Sequence, residues 1–121
     1  MKIVKNIQQI AKDVLISEGN AVKNLATFID GGFEKCVQTI FQCRGRVVVT
    51  GIGKSAIVAG KIVATLNSTG TPALFMHAAD AIHGDLGMVQ SNDVVICISK
   101  SGSSPEIKVL VPLLKRRGSK L

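Results

Sequence analysis

Apolar residues recur at Ile3, Ile7, Ile10, Val14, Val22, Leu25 and Ile29, mostly three or four positions apart. That spacing keeps them on one helix face and predicts a long amphipathic helix from about Lys2 to Ile29. Gly19 and Asn20 are candidate interruptions, and Gly31-Gly32 is expected to end the helix. A shorter helix is predicted over Phe33–Gln42. The pattern then changes. Arg46–Thr50 carries the run Val47-Val48-Val49 without alternation, as in a strand covered on both faces of a parallel sheet. Ser55–Ser68 reads as a helix closed by Thr69-Gly70-Thr71-Pro72, and Ala73–Met76 as a second strand. His77–Val89 reads as a loop with at most a turn or two of helix. Asp93–Ser99 is a third buried strand, and Pro105–Arg117 a helix with Ser104 as N-cap and Pro105 in the favoured first position.

Strand, helix, strand, loop, strand, helix is the order of an α/β protein: a three-layer α-β-α sandwich around a flavodoxin-like parallel sheet. With strand order 2-1-3, the turns "TGIGKS" and "SKSGSS" both leave the carboxyl ends of their strands and face one crevice. The segment "KRRGSKL" ends where a further strand is expected. Residues 1–121 therefore read as a single domain, truncated at its C-terminus.

Composition narrows the partners. With 46% hydrophobic residues and neither Trp nor Tyr, the core must be aliphatic. A formal charge of +7 favours anionic ligands. Nucleic acid is not expected, because the basic residues are scattered and no aromatic stacking series accompanies them. The exception, Lys115-Arg116-Arg117 with Lys120, suits a helix end whose cations complement the dipole. Cys36, Cys43 and Cys97 form no C-x-x-C pair and read as buried, reduced thiols of a cytoplasmic protein. No signal peptide and no run of membrane-spanning length is visible, so no membrane partner is expected.

Three phosphate-handling loops resemble "TGIGKS". A nucleotide P-loop needs Gly five positions before Gly53, where Val48 stands inside a buried strand. A dinucleotide loop fits Gly51-x-Gly53-x-x-Ala56, but wants an acidic residue about 20 positions on, where the chain reads "LFMH". A sugar-phosphate loop accounts for more. Ser99, Ser101, Ser103 and Ser104 crowd the start of the last helix beside Gly102, and backbone N–H groups there with short hydroxyls make a nest for phosphate. Ser55 opens the opposing helix and adds a donor. Lys54, a cation in a first turn, is unfavourable unless an anion binds nearby.

"GIGKS", "STGTPALFMHAADAIHGDLGMV" and "VVICISKSGSSPEI" resemble the sugar isomerase (SIS) domain of arabinose 5-phosphate isomerases, most closely over residues 47–110. The resemblance implies interconversion of D-arabinose 5-phosphate and D-ribulose 5-phosphate, for making the sugar acid Kdo of lipopolysaccharide or capsule precursors. It implies that Ser55, Ser99, Ser101 and Ser104 hold the phosphate, with Gly53 in the same turn. Lys54, His83 and Glu106 would stand near the reacting sugar, and Gly70-Thr71 would border the pocket. His77 matches a position that binds substrate or an inhibitory zinc; no cofactor is required. Family members of this kind are homotetramers that share sites between subunits, with His83 a candidate donated group. Ser103 departs from the pattern, since Glu is common there. The family's further catalytic Glu and His fall beyond Leu121, and the regulatory CBS modules that often follow are not in the chain.

Isomerisation moves a proton between adjacent carbons through a cis-enediol(ate), and needs a base, a proton shuttle and donors for an oxyanion. Lys54 suits the oxyanion or sugar hydroxyls. Glu106 is a second-line acid/base or orienting group, although the helix dipole alone favours an acid there. His83 is a candidate proton shuttle or hydroxyl ligand, or else a hydrogen-bonded loop histidine. A non-catalytic module that senses a sugar phosphate would carry the same two loops.

Overall fold

The structure, a computed structural model, describes residues 6–121. Ile3, the first position of the predicted stripe, lies outside them. The chain divides into two compact units that part after Val37.

In the first unit, helix α1 runs over Ile7–Asn24 and is followed by a 3-10 turn at Leu25–Phe28. Gly19 and Asn20 do not interrupt α1: one glycine costs only about 1 kcal/mol, which the helix formers around it outweigh. No residue of α1 is buried, and Ile10, Leu15 and Val22 are all exposed. Gly31-Gly32 does not end this helix but opens the next, α2, over Gly31–Phe41. Asp30 sets that start. Its carboxylate accepts the Phe33 N–H at 3.0 Å and its carbonyl accepts the Glu34 N–H at 3.1 Å, a capping arrangement. Cys36, expected to be buried, is exposed on α2.

The second unit, Gln38–Leu121, holds the sheet. Strands β1 (Val47–Gly51), β2 (Ala73–His77) and β3 (Val94–Cys97) are parallel in the order β2-β1-β3, as the pattern predicts. Val47 stands opposite both Ala73 and Val94, and Gly51 opposite His77. Val47, Val48 and Val49 are fully buried because layers cover both faces. Helix α3 (Lys54–Ser68) sends Ala59, Ile62, Val63 and Leu66 against Val47 and Val49. On the other face, short α4 (Ala78–Ala81) and α5 (Pro105–Arg116) pack Ala78, Ala81, Ile107 and Leu110 around Val48, Met76 and Val95. Between α4 and β3 the loop adds one 3-10 turn at Asp85–Met88. Lys115 and Arg116 lie in the last turn of α5, and the next residue, Arg117, donates to the Val89 carbonyl at 3.0 Å. After α5, Lys120 pairs in parallel with Val94, and its carbonyl accepts the Val95 N–H at 2.8 Å. This is a single bridge beside β3, outside the three strands.

The amino edge of the sheet is closed by a polar clasp. Asp93 is almost fully buried, and its carboxylate accepts the Arg46 N–H at 2.7 Å, the Arg46 guanidinium at 2.9 Å and the Gln90 N–H at 2.8 Å. Arg46 also donates to the Met88 carbonyl at 2.7 Å. Burial by itself pushes the Asp93 pKa up, but the Arg46 and Gln90 donors outweigh it and hold the carboxyl below its usual value. A depressed folded-state pKa adds stability above the unfolded pKa of about 3.9, and that contribution vanishes as pH falls through the folded value. Asp93→Ala removes the shared acceptor of the Arg46 and Gln90 N–H groups and is expected to cost about 1–3 kcal/mol at pH 7, and less in acid, where the carboxyl is protonated. Urea denaturation at pH 7 and in acid checks this; equal stability of variant and parent at pH 7 would refute it.

Candidate active site

The carboxyl edge of the sheet is where the chemistry-bearing residues gather. β1 ends at Gly51, packed so closely under α3 that a Cβ would stand 3.0 Å from the Ser55 carbonyl carbon. A side chain here would push the start of α3 back by a few tenths of an ångström, whereas glycine lets it sit directly over the strand end. Gly53 then turns the backbone with a positive φ of 60° and caps α3. Lys54 is the first residue of α3 and is exposed, and no acidic residue shares that first turn. Helix N–H groups and an ammonium thus concentrate positive potential at one point. Ser55 follows, half-buried.

The serine loop leaves β3 on the adjacent strand. Its root is tied to β1 by the Ile98 N–H, which donates to the Thr50 carbonyl at 2.9 Å. Ser99 Oγ accepts the Gly102 N–H at 2.8 Å, and Ser101 Oγ accepts the Ser103 N–H at 3.2 Å. Both hydroxyls act as acceptors in these turns, so the proton of each is left to donate outward, as an anion requires. Ser104 takes the extended N-cap conformation, with Pro105 opening α5, as the pattern predicts. Its side chain makes no capping bond, however; Ser104 Oγ is buried and has no hydrogen-bond partner. A buried hydroxyl without a partner at a helix N-terminus has a donor to give to a ligand. Glu106 lies half-buried in the first turn of α5.

His77 ends β2 opposite Gly51, on the same edge. Its Nδ1 accepts the Ala79 N–H at 3.2 Å, which caps α4 and leaves the ring proton on Nε2. His83 is exposed in the loop beyond α4, its backbone N–H bonded to the Asp80 carbonyl at 3.0 Å. Gly70 and Thr71 are not brought to this edge. They precede β2, and the neighbouring Pro72 carbonyl accepts the Val47 N–H at the amino edge. Among the described residues no three His, Cys, Asp or Glu side chains gather as metal ligands. His77 would offer zinc a single ring nitrogen, a donor set that does not fit a resident metal. Burial pushes the Cys97 thiol up from its ordinary pKa, which favours the thiol over the thiolate.

One polar group at this edge has no sequence-level role: Thr50, fully buried at the end of the Val run, with its Oγ1 unpartnered. The only signal for it is a hydroxyl residue closing an otherwise apolar strand.

The SIS domain family matches residues 39–121, more than half of the chain. The chain belongs to that family. It is 47% identical over 112 residues to arabinose 5-phosphate isomerase KdsD of Yersinia pestis, covering 93% of this chain and 34% of that protein. Against the enzyme of the same name from Escherichia coli K12 the identity is 48% over 111 residues, covering 92% and 34%. The chain therefore spans about a third of the length of the curated relatives it matches. Among solved structures, a protein of E. coli CFT073 in complex with arabinose 5-phosphate superposes with a TM-score of 0.88 at 41% identity, covering 95% of this chain and 61% of that one.

In this SIS domain the two phosphate-type turns emerge side by side from neighbouring parallel strands. The serine loop offers hydroxyl protons and helix N–H groups, and Lys54 offers a full charge. Such a pair can seat a small phosphorylated ligand with its phosphate on the serine loop and its other end toward Lys54.

Proposed function

We propose that the protein containing this chain is an aldose–ketose isomerase that interconverts D-arabinose 5-phosphate and D-ribulose 5-phosphate. The observation that carries this reading is Lys54 at the start of α3, across from a serine loop whose Ser104 hydroxyl is buried and unpartnered. The relatives named arabinose 5-phosphate isomerase, and the related structure that holds that sugar phosphate, supply the choice of sugar. Ser55, Ser99, Ser101 and Ser104 grip the phosphate, with Gly53 shaping the turn beside it. A base removes the proton from C2 while the C1 oxygen gains one, giving the cis-enediol; the C2 hydroxyl then loses its proton as C1 takes one up. No net oxidation occurs. Lys54 stabilises the oxyanion that develops on the way, His83 carries protons between the two oxygens, and Glu106 orients or assists.

In the opposite direction the same steps form arabinose 5-phosphate, which serves Kdo and so lipopolysaccharide or capsule precursor synthesis in the cytoplasm. The working form is a homotetramer, consistent with the exposed Leu15, Val22 and Phe28 of the first unit. Gly70 and Thr71, at the opposite sheet edge in their own chain, would reach a pocket only across such a contact. His77 contacts substrate, and any zinc it takes up is inhibitory. The full-length protein is expected to form ribulose 5-phosphate from arabinose 5-phosphate with a chelator present. Activity only on addition of a divalent metal, or phosphate binding without turnover, would sink the reading; the latter would leave a sugar-phosphate sensor.

A further inference from the structure

Thr50 occupies a particular place in the site described above. Its carbonyl accepts the Ile98 N–H at 2.9 Å, holding the root of the serine loop. Its successor, Gly51, carries the start of α3. One residue of β1 thus lies between the roots of both turns. Its side chain lies on the α5 face of the sheet, as do Val48, Met76 and Cys97, since registered neighbours share a face. Neither registered neighbour has an oxygen in its side chain to offer it: they are Met76 and Cys97. Ser104, the residue just before α5, is three positions ahead of Ile107, which packs in the same cluster as Val48, and its own Oγ is buried. Thr50 Oγ1 and Ser104 Oγ are the two buried side-chain oxygens among the described residues that have no partner. A buried hydroxyl left unpaired is costly, and two on one face at one edge are an economical pair.

We propose that Thr50 is a positioning residue for the serine loop. When phosphate binds, its hydroxyl donates to Ser104 Oγ, directly or through one water, so that the Ser104 proton is turned onto the phosphate. The inference rests on the phosphate-binding reading above but not on isomerase chemistry. Inorganic phosphate, followed by its effect on thermal unfolding and as a competitive inhibitor, is therefore the probe. Thr50→Val keeps the shape and removes the donor. It is expected to weaken phosphate binding by about 3- to 10-fold and to raise the substrate KM by a similar factor, with a smaller change in kcat. Thr50→Ser should restore binding despite its smaller volume, which also serves if the valine variant does not fold. In a Ser104→Ala background, Thr50→Val should have no further effect. Thr50→Val with raised thermal stability and unchanged phosphate affinity would overturn the proposal, as would full additivity of the two changes. A parent protein that binds no phosphate would instead overturn the phosphate-binding reading itself.

Discussion

Lys54→Ala is expected to lower kcat by about 100- to 1000-fold while KM changes far less. The reason is local. Lys54 is exposed at the first position of α3, where a cation opposes the helix dipole and gains nothing from the fold. No acidic residue of that first turn offsets it. Its value must come from a charge that appears in the crevice, and in an enediol(ate) reaction that charge is on the sugar oxygens and grows toward the transition state. An interaction that strengthens along the reaction appears in kcat. Steady-state kinetics on the full-length protein read this directly, with the melting temperature as a control for folding. A Lys54→Ala enzyme with full kcat and only a raised KM would place the lysine on the phosphate instead.

Ser101→Ala should behave in the opposite way. The phosphate is remote from the carbons that exchange a proton, so its contacts are the same in substrate and transition state and affect binding uniformly. Ser101 Oγ accepts the Ser103 N–H at 3.2 Å, so the hydroxyl both shapes the turn and keeps a proton to donate. Losing one hydrogen bond to a charged group is worth roughly 1.5–3 kcal/mol, which predicts a rise in KM of about 10- to 150-fold with kcat little changed. If Ser101→Ala lowered kcat and left KM alone, the two loops would have exchanged roles.

The sheet is legible in the sequence because its signal is local and strong. Val47-Val48-Val49 suits a strand buried on both faces, and with strand order 2-1-3 right-handed crossovers put α3 and α5 on opposite sides of it. The pattern misplaces the break between α1 and α2 because two glycines outweigh one aspartate, whereas the Asp30 carboxylate is what satisfies the free N–H groups of the new helix. Residue type alone puts Cys36 in the interior, but its helix buries none of its residues. The Arg46–Asp93 clasp joins residues far apart in sequence and has no motif. Register gives it away: Val47 pairs with Val94, so the residues immediately before them meet. For the site, the order of the strands brings Lys54, Ser55, His77 and the serine loop to one edge, as the two turns imply. That Ser104 caps by backbone conformation alone, with its hydroxyl held back, is visible only in three dimensions.

On the function proposed above, the crevice between these two turns holds a sugar phosphate by its phosphate end. A crystal structure of the full-length protein with arabinose 5-phosphate tests it most directly. Phosphate oxygens are expected about 3 Å from Ser101 Oγ, Ser104 Oγ and the N–H groups at the start of α5, with the sugar hydroxyls toward Lys54 Nζ. A sugar phosphate bound at the amino edge, against Arg46 and away from both turns, would contradict it.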